Sequence, residues 1–147
     1  MRDLQPLRSK GYLTTFDGQK MKTSAITVIG SGAVELELIT AQNQRDLFYD
    51  APLALLDSDL FEFTPSISPM ASTNFALIGG LAAWFYPPYQ KKLVCQLVAE
   101  AHKRGMTARF WGQPTWPQVR RTDAWHTAMD CGADWLNVDN LSIGSRF

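Results

Sequence analysis

Ala108-Arg109-Phe110-Trp111-Gly112-Gln113-Pro114-Thr115-Trp116-Pro117, answered by Trp135-Leu136-Asn137-Val138-Asp139-Asn140-Leu141, decides the fold. Each piece reads as a short strand that ends in polar or aromatic residues. Between them the spacing predicts a helix over 117–131, with proline in its first turn and Gly132 at its end. Strand, helix and strand in that order form the repeating unit of a parallel α/β barrel. Ligand chemistry in such a barrel sits at the carboxyl ends of the strands.

Working outward, Pro87-Pro88 introduces a helix expected over 89–104. Leu93, Val94, Leu97, Val98 and Ala101 recur on one face, Lys103 and Arg104 favour the negative end of the dipole, and Gly105 closes it. A strand over 106–111 follows. Upstream, 25–30 and 45–52 read as buried strands with a short helix over 34–40 between them, and 70–75 is a further candidate strand. The prolines at 65 and 69 mark 57–69 as loop. Near the start, Leu4 and Leu7 before Gly11 suggest the last turns of a helix. Residues 12–16 and 19–23 flank Asp17-Gly18 as a hairpin, because that dipeptide accepts the positive φ of a tight turn. The expectation is one α/β domain over 1–147, a partial (β/α)8 TIM-type barrel of about five strands. An open doubly wound sheet lacks its Gly-rich phosphate turn here, since Gly30-Ser31-Gly32 is too short to count.

Of the 147 residues, 46% are apolar and 19% charged, as in an ordinary globular chain. Fourteen basic residues cancel fourteen acidic ones, and they are scattered rather than striped, so nothing points to nucleic acid. No apolar run approaches the ~20 residues of a membrane span. The opening Met1-Arg2-Asp3-Leu4-Gln5 lacks the basic-then-apolar order of a signal peptide. Cys95 and Cys131, without C-x-x-C spacing, are expected as two buried thiols rather than a disulfide or a nucleophile.

Alternation along a strand sets Arg109 and Trp111 on one face and Ala108 and Phe110 on the other. By the same rule Leu136 and Val138 pack on helices, leaving Asn137 and Asp139 toward the barrel axis. Arg109 and Asp139 then stand on neighbouring strands, and an ion pair between them is expected. Asp50, at the end of Leu47-Phe48-Tyr49-Asp50, is a further candidate at the mouth, or a cap for the Ala51-Pro52 turn. The two histidines, His102 and His126, fall on outer helices, where surface or capping roles suit them better than acid–base work. Glu35 and Glu37, two apart, belong to a solvated face. No carboxylate and histidine cluster has metal-ligand spacing, so neither a catalytic nor a metal residue is assigned. Trp116-Pro117 is expected to seat the helix that follows.

The words A-R-F-W-G-Q-P-T-W-P and G-A-D-W-L-N-V-D-N-L, with A-H-K-R-G before them, resemble a fungal family, "altered inheritance of mitochondria protein six". L-x-P-L-R-x-x-G-Y-L-T, I-T-V-I-G-S-G and R-D-L-F-Y-D-A-P-L extend the resemblance over essentially the whole chain. The family is related to phospholipase-C-like and glycerophosphodiester phosphodiesterase barrels. The resemblance implies a phosphoric diester hydrolase of lipid metabolism that uses two histidines and a divalent cation, magnesium or calcium. It implies that those groups come from the first three strands, which have no counterpart in this chain. It also implies that an aromatic at position 111 walls the substrate pocket, which makes Trp111 the leading pocket residue over its competing reading as core. Ser31-Gly32-Ala33 departs from the Gly-Asn turn of the relatives.

The leading expectation is therefore the carboxyl-terminal portion of such a barrel, inactive alone, with Trp111, Arg109, Asp139, Asn137 and Asp50 as pocket residues. Its substrate in the complete protein would be a glycerophosphodiester or lipid-like phosphodiester. The alternative is a non-catalytic binding or assembly module that self-associates through the bare sheet edge at 26–29.

Overall fold

In the computed structural model, which describes residues 2–58, 62–80 and 87–147, two sheets form. The small one is an antiparallel hairpin of β1 (Thr15–Phe16) and β2 (Met21–Lys22). Asp17 makes its turn by accepting the amides of Gln19 and Lys20 at 2.9 and 2.7 Å. The main sheet contains β3 (Val28–Gly30), β4 (Leu47–Pro52), β5 (Met70–Asn74), β6 (Thr107–Trp111) and β7 (Trp135–Leu136), paired in chain order and all parallel. It curls into half a barrel. The helices are α1 (Gln5–Ser9), α2 (Leu36–Thr40), α3 (Pro87–Lys103), α4 (Gln118–Asp130) and α5 (Leu141–Gly144).

One face of the sheet carries the core. Ala51, Ala71, Ala108 and Phe110 lie under Val94, Val98 and Ala101 of α3 and Ala124 and Ala128 of α4. Alanines on the strands let the helix axes come close, while Leu53, Leu56, Phe75 and Met106 fill what remains. Phe75 meets Phe110 edge to face at 6.2 Å. The apolar stripe expected on α3 is the one buried. Pro117 caps α4 with its carbonyl, which accepts the Arg120 amide at 3.0 Å, whereas Trp116 points into solvent with 82% of its surface exposed.

Several expectations need correction. Cys95 and Cys131 are not free thiols but a disulfide joining α3 to the end of α4, with Cα atoms 4.6 Å apart. The two helices pack side by side over the same strands, and sequence spacing alone does not reveal that proximity. The expected hairpin arms shrink to two residues each, and the start of the first arm pairs with Ile26 instead. Ile26 exchanges backbone hydrogen bonds with Tyr12 and Thr14 at 2.9 and 2.8 Å, and Phe16 pairs with Arg45. The edge expected to be bare over 26–29 is therefore covered at its start. The last strand stops at Leu136 rather than running to 139. Of the expected loop 57–69, residues 59–61 lie outside the described part. The remainder buries Ser68, whose hydroxyl accepts the Ala51 amide at 2.9 Å and lies 2.7 and 2.6 Å from the carbonyls of Tyr49 and Met70. That hydroxyl links β4 to β5 just below the strand ends. No described helix is long and apolar enough to cross a membrane.

Candidate functional site

Because Ala51, Ala71, Ala108 and Phe110 face the helices, alternation turns Asp50, Ser72 and Arg109 to the concave side of the curled sheet. Ser72 and Arg109 are partners in the β5–β6 register, and Asn74 and Trp111 form the next pair toward the carboxyl ends. Ser72 donates to Asp50 Oδ2 at 2.7 Å. Arg109 donates to Asn137 Oδ1, and Asn137 Nδ2 reaches Asp139 Oδ1 at 3.3 Å. The result is a polar row across the concave face, two residues short of the carboxyl ends of β4, β5 and β6 and just past the end of β7, from Asp50 through Ser72 and Arg109 to Asn137 and Asp139.

The direct ion pair expected between Arg109 and Asp139 is thus replaced by a relay through the Asn137 amide. The chain leaves the sheet after Leu136, so Asp139 sits beyond the strand and is exposed, whereas Asn137 lies next to the guanidinium. Asp50 occupies the other end. Burial pushes its carboxyl above the usual aspartate range, and the Ser72 hydroxyl and nearby Arg109 only partly oppose that. Its second oxygen, Oδ1, is buried and accepts no hydrogen bond. A carboxyl in this state holds a proton more readily than a solvated one.

Trp111 stands at the rim with 42% of its surface exposed, so it is not a core tryptophan. Trp135, more exposed at 56%, ties its indole nitrogen to Thr107 Oγ1 at 3.1 Å. Beyond β7, a cavity of about 50 Å³ is lined by Asn137, Asp139, Asn140, Gln113, Arg121 and Trp125, among others. Asn140 caps α5 by accepting the Ile143 amide at 3.2 Å.

His102 and His126 are both exposed and on the outer helices. His102 Nε2 lies 2.8 Å from Asp134 Oδ2, and that same oxygen accepts the Ala108 amide at 2.7 Å. His126 leans against the Phe147 ring, with centroids 4.7 Å apart. Neither belongs to the polar row. Among the described residues, no three His, Cys, Asp or Glu side chains are grouped to hold a metal ion. Ser72 and Ser68 escaped the sequence reading. Ser72 was legible in principle, since it shares strand parity with Met70 and Asn74. Ser68 had no such signal, because it lies outside any strand.

A family model described as AIM6-like phosphodiesterase domain matches residues 1–50. A protein of Arthroderma benhamiae named "Altered inheritance of mitochondria protein 6 homolog" is 32% identical over 152 aligned positions, covering 100% of this chain and 47% of its own length. Proteins named "Altered inheritance of mitochondria protein 6" match at 31% in Eremothecium gossypii, over 98% of this chain and 40% of the relative, and at 29% in Zygosaccharomyces rouxii, over 95% and 39%. The chain thus spans less than half the length of these curated relatives, and the match falls mostly on their carboxyl-terminal part. No solved structure matches.

Proposed function

We propose, on the premise that this chain corresponds to the carboxyl-terminal part of an AIM6-like phosphodiesterase, that it supplies one wall of a phosphodiester pocket and not the groups that break the ester. The substrate would be a glycerophosphodiester or lipid-like phosphodiester, held in the complete protein by a phospholipase-C-like barrel. The observation that carries this reading is the polar row on the concave face, two residues below the carboxyl ends of the parallel strands at which α/β barrels bind ligands, with Trp111 at the end of β6 above it. Trp111 would pack against the organic part of the substrate. Arg109, held by Asn137, would offer its remaining N–H groups to anionic oxygens. Asp50 would organise the far side of the pocket.

The divalent cation implied for the family does not fit the described residues of this chain alone. Asp50 offers one buried carboxylate oxygen without a partner, but Ser72 and Arg109 beside it do not complete a cage of hard oxygen ligands. No step through a metal is therefore assigned to these residues. General acid–base cleavage needs groups that titrate near neutrality beside the ester, and both histidines lie outside the row.

The test is hydrolysis of bis(p-nitrophenyl) phosphate by the pure chain with added magnesium or calcium. The expected result is no turnover above buffer. Turnover that EDTA abolishes would refute the proposal. In a protein that includes the preceding strands, Trp111→Ala should raise KM more than it lowers kcat, because a packing wall contributes to ground-state binding.

A further inference from the structure

We propose that the Cys95–Cys131 disulfide is a thiol-sensitive lock that holds the last strand–helix unit, and with it Asn137 and Asp139, against the rest of the site. Besides the disulfide, that unit is fastened to β6 by short strand pairing and three side-chain bonds, from the Ala108 amide to Asp134, from the Trp135 indole to Thr107 and from Arg109 to Asn137. β7 pairs with β6 through only two residue pairs, Arg109 with Trp135 and Phe110 with Leu136. Both β7 residues are exposed, at 56% and 37%. α4 reaches the sheet core through two alanines, Ala124 and Ala128, whereas its buried Trp125 packs on Phe147 within the same carboxyl-terminal segment, so its apolar anchor to the sheet is small. The nearby ion pair Lys91–Asp130 lies at the surface, where such pairs add little.

The disulfide acts at the right place. Cys131 is the residue that ends α4, and the chain then runs directly through Gly132, Ala133 and Asp134 into β7 and on to Asn137. Fixing Cys131 to α3 therefore fixes the approach of β7 to β6. The bond lies in the outer helical layer, with both cysteines only partly buried. In the unlocking step one thiolate of a dithiol attacks Cys95 or Cys131 and expels the other cysteine as a thiolate, and the second thiolate then attacks the mixed disulfide and expels the first cysteine. Two electrons and two protons pass to Cys95 and Cys131, which become thiols, and the reductant leaves as a cyclic disulfide.

Hydrogen exchange by mass spectrometry on the full chain, with and without dithiothreitol, tests the lock. Reduction should speed exchange over residues 118–140 by on the order of tenfold or more and leave 28–52 unchanged, because only the locked unit opens locally. The double variant Cys95→Ala/Cys131→Ala should match the reduced wild type and ignore the reductant. Its melting temperature should fall by roughly 10 °C, the scale set by closing a loop of this length. Three results would overturn the proposal. Alkylation could show two free thiols in protein purified without reductant, exchange over 118–140 could stay unchanged on reduction, or exchange could rise equally along the whole chain.

Discussion

Asp50 is a carboxyl with one oxygen bonded to Ser72 and the other buried without a partner. Burial raises its folded pKa above the unfolded value near ~3.9, so ionisation favours the unfolded chain. The contribution of this group is therefore least unfavourable below the unfolded pKa, and stability falls as pH rises through the folded pKa. Asp50→Asn keeps an acceptor for Ser72 and removes the ionisation. The variant should gain urea stability relative to wild type as pH goes from 4 to 7, and an offset that does not change with pH would refute the assignment. At the other end of the row, Arg109 depends on Asn137 for an acceptor. Asn137→Ala leaves that partly buried guanidinium unsatisfied and should cost about 1–3 kcal/mol in denaturant unfolding. Asn137→Asp should recover most of it, since a carboxylate accepts the same bond with charge added. Equal losses in the two variants would show that the bond is not what matters there.

Two glycines at the ends of elements separate backbone strain from collision. Gly112, which follows β6, has φ +67°, and a methyl added there would lie 2.6 Å from Asn74 Oδ1. That oxygen caps the turn after β5 by accepting the Ala76 amide at 2.9 Å. Gly132, after α4, has φ +83° and open space around it. Gly132→Ala should therefore cost only the left-handed penalty of about 1–2 kcal/mol. Gly112→Ala should cost about 1 kcal/mol more, because the cap is lost as well; thermal unfolding of the pair measures the difference. The same elements show what was legible beforehand. Gly105 and Gly132 marked the ends of α3 and α4, and the stripe of Leu93, Val94, Leu97, Val98 and Ala101 gave the face that α3 buries, because helix period and glycine stops are local signals. The alternation of Ala108, Arg109, Phe110 and Trp111 likewise placed Arg109 and Trp111 opposite the core. The pairing of Cys95 with Cys131, the bond between Ser72 and Asp50, and the Asn137 relay all depend on which strands and helices lie side by side. None of those contacts leaves a local period in the sequence. Leu13 makes the same point, since a bridge to Ile26 took a residue whose local pattern read as a hairpin arm.

Across the whole molecule, the central strands β4, β5 and β6 are held by the core, whereas each flank carries an ionised-aspartate tie, which at β7 acts in addition to the Cys95–Cys131 disulfide. Arg8, at the end of α1, donates from Nε and Nη2 to the two oxygens of Asp46, just before β4. The Arg8 hydrogen bonds hold the Asp46 carboxyl below the usual range against an opposing burial effect. At the other flank, burial works to raise Asp134, but the Ala108 amide and His102 outweigh it and the net shift is downward. A carboxyl whose folded pKa is depressed contributes stability that is present above the unfolded value and lost as pH falls through the folded one. Both ties should therefore loosen on acidification below about pH 4, where unfolded aspartate takes up its proton. Protection factors from hydrogen exchange should fall first over residues 5–14 and 133–140 and only later over β4–β6. Asp46→Asn isolates one tie: residues 5–14 should be poorly protected already at neutral pH, while 133–140 keep their acid transition. If the variant changed both ends together, the flanks would be coupled through the sheet instead of fastened one by one, and the acid sensitivity would belong to the core.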